Sequence, residues 1–238
     1  MKSIFLIVIS TIIVNFSSMS QNEYIIKPTS ECIKLLESDG RKIDTLDFFE
    51  TLPGGAGLIF LMSNDKVVLI PSNFDTGYPG FIYETKKELE EMIKRDFFPI
   101  PEKYMSVWEL ERERLAKLPV VIDYYKEFLF SELRFRTPLN KLDNFRKLYE
   151  QIAASLKEKK PLIKKEKLMI SFALLFMNYL SRLQNNTWFF ETRYEMYNSY
   201  KYPLLILHGN TKDIIQQVFI SLNDVSSDFD FFIKFIEE

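Results

Sequence analysis

The chain has 238 residues, with 31 Lys or Arg against 33 Asp or Glu, one His and one Cys, and a formal net charge of −2. This balance lacks the basic footprint of a general nucleic-acid binder. A lone cysteine excludes an internal disulfide, and one His with one Cys leaves no zinc site of the usual ligand types.

The chain opens with Met1-Lys2-Ser3 and an almost unbroken apolar run from Ile4 to Phe16, followed by Ser17-Ser18-Met19-Ser20. A basic start, a short apolar core and small residues at Ser18 and Ser20 form the pattern of a secretory signal peptide, residues 1–20, cleaved after Ser20. The run is shorter than the roughly 20 apolar residues of a transmembrane helix, so no integral span is expected in the mature chain. Retention of the segment as an N-terminal anchor is the alternative. Without disulfides, the remaining chain must rest on its hydrophobic cores, for which it is long enough.

Residues 21–98 read as a first α+β unit. Tyr24-Ile25-Ile26 is a short strand, and Thr29 or Ser30 caps a helix to about Ser38, with Asp39-Gly40 as its stop. Cys32 falls on this helix as a buried small hydrophobe. A second helix is expected around Asp44 to Leu52, ending in Pro53-Gly54-Gly55-Ala56-Gly57. Leu58 to Met62 and Lys66 to Ile70 flank Ser63-Asn64-Asp65 as a hairpin. Both runs are nearly continuous, so the sheet is expected to be covered on both faces. Phe81-Ile82-Tyr83 is a third strand, and Thr85 with Glu88 is a capping box opening a helix. The glycine-rich loop leads into a strand and lacks a following Lys-Ser/Thr, which argues against a phosphate cradle.

Phe97 to Pro101 marks a boundary, because two closely spaced prolines disfavour helix on both sides. Residues 102–238 read as a helix-rich α+β unit packed with the first. Ser106 and Glu109 form a second capping box, with helix to about Lys117. Pro119 starts a helix to about Glu132, and Thr137-Pro138 another. Leu142, Phe145, Leu148, Tyr149, Ile152 and Leu156 fall on one helical stripe. Glu166 to Leu183 is apolar nearly all round over Leu168 to Phe176, as in a central buried helix. From Asn185 the period becomes two, with Trp188, Phe190 and Tyr194 on one face and Phe189, Glu191, Arg193 and Glu195 on the other. Leu204 to Leu207 is a buried strand. Gly209-Asn210-Thr211 then turns into a helix carrying Ile214, Ile215, Val218, Phe219 and Leu222. Phe229 to Ile236 closes the chain as a short helix. The fold class is α+β, with small mixed or antiparallel sheets and a helix-rich central and C-terminal part.

The charge is uneven. Residues 141–167 hold nine Lys or Arg against four acids, and 224–238 hold five acids and one Lys. A basic run such as Lys157 to Lys167 is usually a solvated helix end. The acid pairs Glu109/Glu113 and Glu84/Glu88 read as solvated charges beside Arg112, Arg114, Lys86 and Lys87. No Gly-x-Ser-x-Gly elbow is present.

Seven aromatics lie between Trp188 and Tyr202, more than one strand face buries. Tyr197, Tyr200 and Tyr202 fall around the polar Asn198-Ser199 and, beside Arg193, match the composition of interfaces. Core packing competes with that reading. His208, between a buried strand and a helix start, is the best-placed titratable residue. The candidate binding residues are therefore Arg193, Tyr197, Tyr200, Tyr202 and His208. The layout of a helix, then Trp188, Arg193-Tyr194 and Tyr197-Asn198, then a buried strand and a helix, loosely resembles small bacterial domains of unknown function and immunity-type proteins. The likeness covers a minor part of the chain and carries over no functional residue.

The expected function is that of an exported, periplasmic or extracellular, non-enzymatic protein with a protein partner, immunity-like or inhibitor-like, without cofactor or metal. The alternatives are a metal-independent hydrolase using paired carboxylates, and a small-molecule or lipid carrier. Mass spectrometry of native protein should find Gln21 at the mature N-terminus; material retaining Met1 would overturn the cleaved-signal expectation.

Overall fold

The computed structural model describes residues 24–43, 48–52, 57–72, 77–95, 98, 100–184, 186–195, 197–224 and 228–237. The predicted signal peptide, Gln21, residues 53–56 of the glycine-rich loop and Asn185 lie outside them. Among the described residues the fold is α+β, with eight α-helices and two antiparallel sheets.

The first sheet has five strands in the order β1-β5-β4-β3-β2: β1 Tyr24–Pro28, β2 Glu50–Thr51, β3 Gly57–Leu61, β4 Val67–Pro71 and β5 Pro79–Tyr83. Alternation sorts its side chains. Phe60, Val68, Ile70 and Ile82 face helix α1 (Thr29–Ser38), which buries Cys32 and Leu36 against them. Ile59, Val67, Leu69, Phe81 and Tyr83 face the opposite way, toward Leu89 of α2 (Lys86–Arg95), Phe98 and Ile100. Both faces are covered, as the continuous apolar runs imply. Gly80 lets α1 sit this close: a Cβ there would lie 2.6 Å from Cys32 Sγ. Cys32 is fully buried in this contact, and burial pushes its thiol up to about 11.

Two expectations for this unit need correction. The described end of the predicted Asp44–Leu52 helix is an edge strand. Its donors are claimed by β3, with Phe49 N–H bonding Ile59 O (2.7 Å) and Leu52 N–H bonding Gly57 O (2.9 Å). Thr29 does not cap α1; its hydroxyl donates to Tyr78 O (2.6 Å), tying the helix to the start of β5. The Thr85/Glu88 capping box is present, with Glu88 Oε2 accepting from the N–H groups of Glu84 and Thr85.

The remainder of the chain builds α3 (Val107–Leu115), α4 (Ile122–Leu133), α5 (Leu142–Leu156), α6 (Leu162–Gln184), α7 (Ile214–Asn223) and α8 (Phe229–Glu237), with a second sheet of order β6-β7-β8. These strands are β6 Thr187–Glu195, β7 Asn198–Leu207 and β8 Asn210–Lys212. Every residue from Leu168 to Met177 is buried, so α6 is the central helix, and α4, α5 and α7 pack on it. Phe145, Tyr149, Phe172, Phe176 and Phe232 join α5, α6 and α8 through ring contacts. None of the described helices is long and apolar enough to cross a membrane.

Part of the basic run turns inward, while Lys157 and Lys159 stay exposed. Lys167 binds Glu111, which is 2 % exposed, at 2.6 Å and donates to Tyr124 Oη at 2.6 Å. Arg114 adds a second cation to Glu111 at 3.2 Å. Lys164 pairs with Glu132 at 2.8 Å. A carboxylate this deep is tolerable only because two cations compensate it.

Candidate functional site

Strand β7 is ten residues long, not the four residues Leu204 to Leu207. Asn198-Ser199 and Pro203 look like loop in sequence, yet pairing with β6 runs through them, from Glu195↔Asn198 to Thr187↔Ile206. Extending β7 moves Tyr200 and Tyr202 off a loop and into the sheet, while Tyr197 sits in the turn that leads into it. Tyr197, Tyr200 and Tyr202 are 3 %, 7 % and 3 % exposed, so the expected surface of tyrosines is not formed.

Each ring has a packing role. Tyr200 stacks on Trp108 of α3 at 5.3 Å between centroids, and Tyr202 meets the same indole at 5.3 Å. Arg193 lies over the Tyr202 ring, 3.3 Å from its centroid, and binds Glu191 and, at 3.1 Å, Asp213. Tyr202 Oη donates to Asp213 Oδ1 (2.6 Å), which also accepts from Gln216 N–H (2.9 Å) and so caps α7. Burial, then the Asp213 charge, pushes the Tyr202 phenol well above its ordinary range. Arg193 and Tyr202 are thus brought together, as a clamp on the start of α7.

His208 is not beside them. With φ of 51° at His208 and 83° at Gly209, the pair forms the turn between β7 and β8, where two left-handed residues suit the strand twist. It is an exposed hairpin tip. Helix α7 follows β8, and Asp213, not Asn210 or Thr211, supplies its cap.

Tyr197 enters the other core. Its ring packs on Phe81 (5.3 Å) and Phe98 (5.7 Å), and its hydroxyl donates to Pro79 O (2.7 Å). Beside it, the Asn198 amide clasps the Phe98 peptide, accepting from N–H at 2.6 Å and donating to C=O at 3.2 Å. Asn198 also donates to Glu109 Oε1 (2.9 Å), while Glu109 Oε2 accepts from Tyr78 Oη (2.8 Å) and Ser106 N–H (3.0 Å). The Ser106/Glu109 capping box is present, but Glu109 is only 9 % exposed and is not the solvated charge expected. Burial raises its pKa against the hydrogen bonds that lower it. Glu195 is raised too, first by burial and then by the charges of Glu109 and Glu166. Glu84 forms an ion pair with Lys66 (2.8 Å), and Glu88 serves as a cap. Among the described residues, no group of three or more His, Cys, Asp or Glu is placed to hold a metal ion.

What stays on the surface is the outer edge of β6. Its nine residues, rich in aromatic and β-branched types that favour strands, pair only with β7 among the described residues. Trp188 and Phe190 lean on the core. Phe189 and Tyr194 are 46 % and 45 % exposed, on opposite faces of the strand by parity. Sequence alternation places Phe189 outward but sets Tyr194 with the buried pair; Tyr194 lies opposite Ser199 near the end of the strand and is half exposed. The strand carries no proline or lysine, and its charges, Glu191, Arg193 and Glu195, all lie on one face.

Compared with protein-family models, curated proteins and solved structures, the chain matches none.

Tyr200→Ala should cost about 3 kcal/mol in a urea unfolding experiment, in line with other large-to-small changes at buried rings. Near-native stability with lost partner binding would return Tyr200 to an interface. Glu109 gives a pH signature. Its folded-state pKa lies above its unfolded value, so the folded state holds the proton more tightly and gains stability as pH falls from neutral through the raised pKa. Glu109→Gln removes that gain. In melts from pH 7 to about 4, wild type should rise relative to the variant; parallel curves, or the opposite trend, would overturn the assignment.

Proposed function

We propose that the protein is an exported, non-enzymatic protein that binds another protein by accepting an extended segment of it along the outer edge of β6. One observation carries the reading: a nine-residue edge strand, unpaired on its outer side among the described residues, with an aromatic side chain about half exposed on each face. In strand addition, main-chain hydrogen bonds provide affinity and alternating side chains provide selectivity. Phe189 and Tyr194 offer a contact above and below the added strand, and aromatics of this kind are the usual anchors of interfaces. Export rests on the Ile4–Phe16 apolar run with Ser18 and Ser20 behind it. The use made of the buried carboxylates supports a non-enzymatic role. Both oxygens of Glu109 are engaged by Tyr78, Ser106 and Asn198, within a contact that joins two parts of the fold.

The test is affinity capture from the native envelope with the tagged mature chain, alongside a Phe189→Lys/Tyr194→Lys double variant. A partner in near-equal amount, retained by wild type and lost by the variant while the melting temperature holds, is the expected result. Capture of the same partner by the variant would remove the β6 edge from the account. Nothing above background with wild type would overturn the binding role.

A further inference from the structure

We propose that the groove between α4 and α6 binds a small amphiphilic anion, an alkyl or aryl carboxylate. The groove has a volume of about 300 Å³, at the small end of the range for ligand pockets. Its floor is apolar, made by Ile122 of α4, Phe145 of α5 and Leu175 of α6, all buried. Its rim carries Lys126, Asn178 and Arg182. An apolar floor with a few polar groups on its rim is the composition of ligand sites.

The sign of the ligand follows from the charges. Lys126 and Arg182 are exposed, and neither makes an ion pair with a described carboxylate. Elsewhere in this protein the cations that turn toward the helices are matched: Lys167 and Arg114 to Glu111, Lys164 to Glu132, Arg193 to Asp213. The one acid on the groove, Asp123, sits in the first turn of α4, where the helix dipole favours a negative charge. Lys126 instead leans toward Phe130, with its Nζ 5.7 Å from the ring centroid. The groove therefore presents two cations that pair with no described carboxylate above an apolar floor. A carboxylate meets them with charge-assisted hydrogen bonds, the Asn178 amide adds a donor, and the tail covers Phe145 and Leu175.

Isothermal titration of the purified chain with sodium octanoate tests this, with octylammonium chloride as the opposite-charge probe of the same tail. Saturable binding of one octanoate per chain is expected, with octylammonium weaker by about ten-fold or more. Lys126→Gln with Arg182→Gln should weaken octanoate by about ten-fold while leaving the melting temperature unchanged, because both side chains are exposed. Equal affinity for the two probes would overturn the anion assignment. Unchanged octanoate binding by the double variant would overturn the location, and absence of saturable heat would overturn the site. A Phe189→Lys/Tyr194→Lys chain should bind octanoate as wild type does, which separates this site from the β6 edge.

Discussion

The fold turns on the grip of Asn198 on the peptide of Phe98. One amide satisfies both polar groups of a buried backbone unit 100 residues away and still reaches Glu109 with its second N–H. A buried donor or acceptor left unpaired costs about 1–3 kcal/mol, so the register between the β6–β7 hairpin and the segment after α2 is tightly specified. Tyr197 occupies the pocket this grip defines, between Phe81 and Phe98, and its hydroxyl satisfies Pro79 O. Tyr78 and Ser106 close the set on the other side of Glu109. Residues distant in sequence thus share one hydrogen-bond network, in which each member makes the next affordable to bury.

The same logic governs the charges. Glu111 lies inside the helical part and survives there because Lys167 and Arg114 meet it, with Tyr124 oriented by Lys167. Asp213 is shared between Arg193, Tyr202 and the first turn of α7. Ion pairs of this sort add little net stability over apolar replacements, but they penalise arrangements that leave one partner alone. They tie α3 to α6 and the start of α7 to the second sheet, while the rings of Phe145, Phe172, Phe176 and Phe232 pack around α6. Tyr197, Tyr200, Tyr202 and part of the basic run have gone inward. The open edge of β6 and the groove beside Arg182 stay on the surface.

Much of this architecture was legible in the sequence wherever a local period or a local hydrogen bond decides the outcome. The two capping boxes, the β3–β4 hairpin around Asn64, the α5 stripe and the all-round apolar α6 all follow from neighbours within a few residues. The residues around Glu50 were not, because their donors pair with β3. Nor was the strand through Asn198, Ser199 and Pro203, since a polar pair and a proline carry a loop signature that pairing with β6 overrides. The candidate site suffered most. Tyr197, Tyr200 and Tyr202 stood out by composition, and composition cannot distinguish a ring on a surface from one between two cores. His208 drew notice from its place between strand and helix, where the intervening β8 makes it a hairpin tip. The burial of Glu109 and the reach of Asn198 to Phe98 carry no local signal, because both depend on partners far away in sequence.

By itself the sequence determined the α+β class, the absence of disulfides, most helices and the covering of the first sheet on both faces. These are consequences of hydrophobic period, capping chemistry and cysteine count, all of which act over short stretches of chain. Only the tertiary structure decided which polar and aromatic groups are internal. Burial and pairing depend on contacts between segments up to 118 residues apart, and a charge or a ring has the same sequence signature whether its partner is water or another part of the chain.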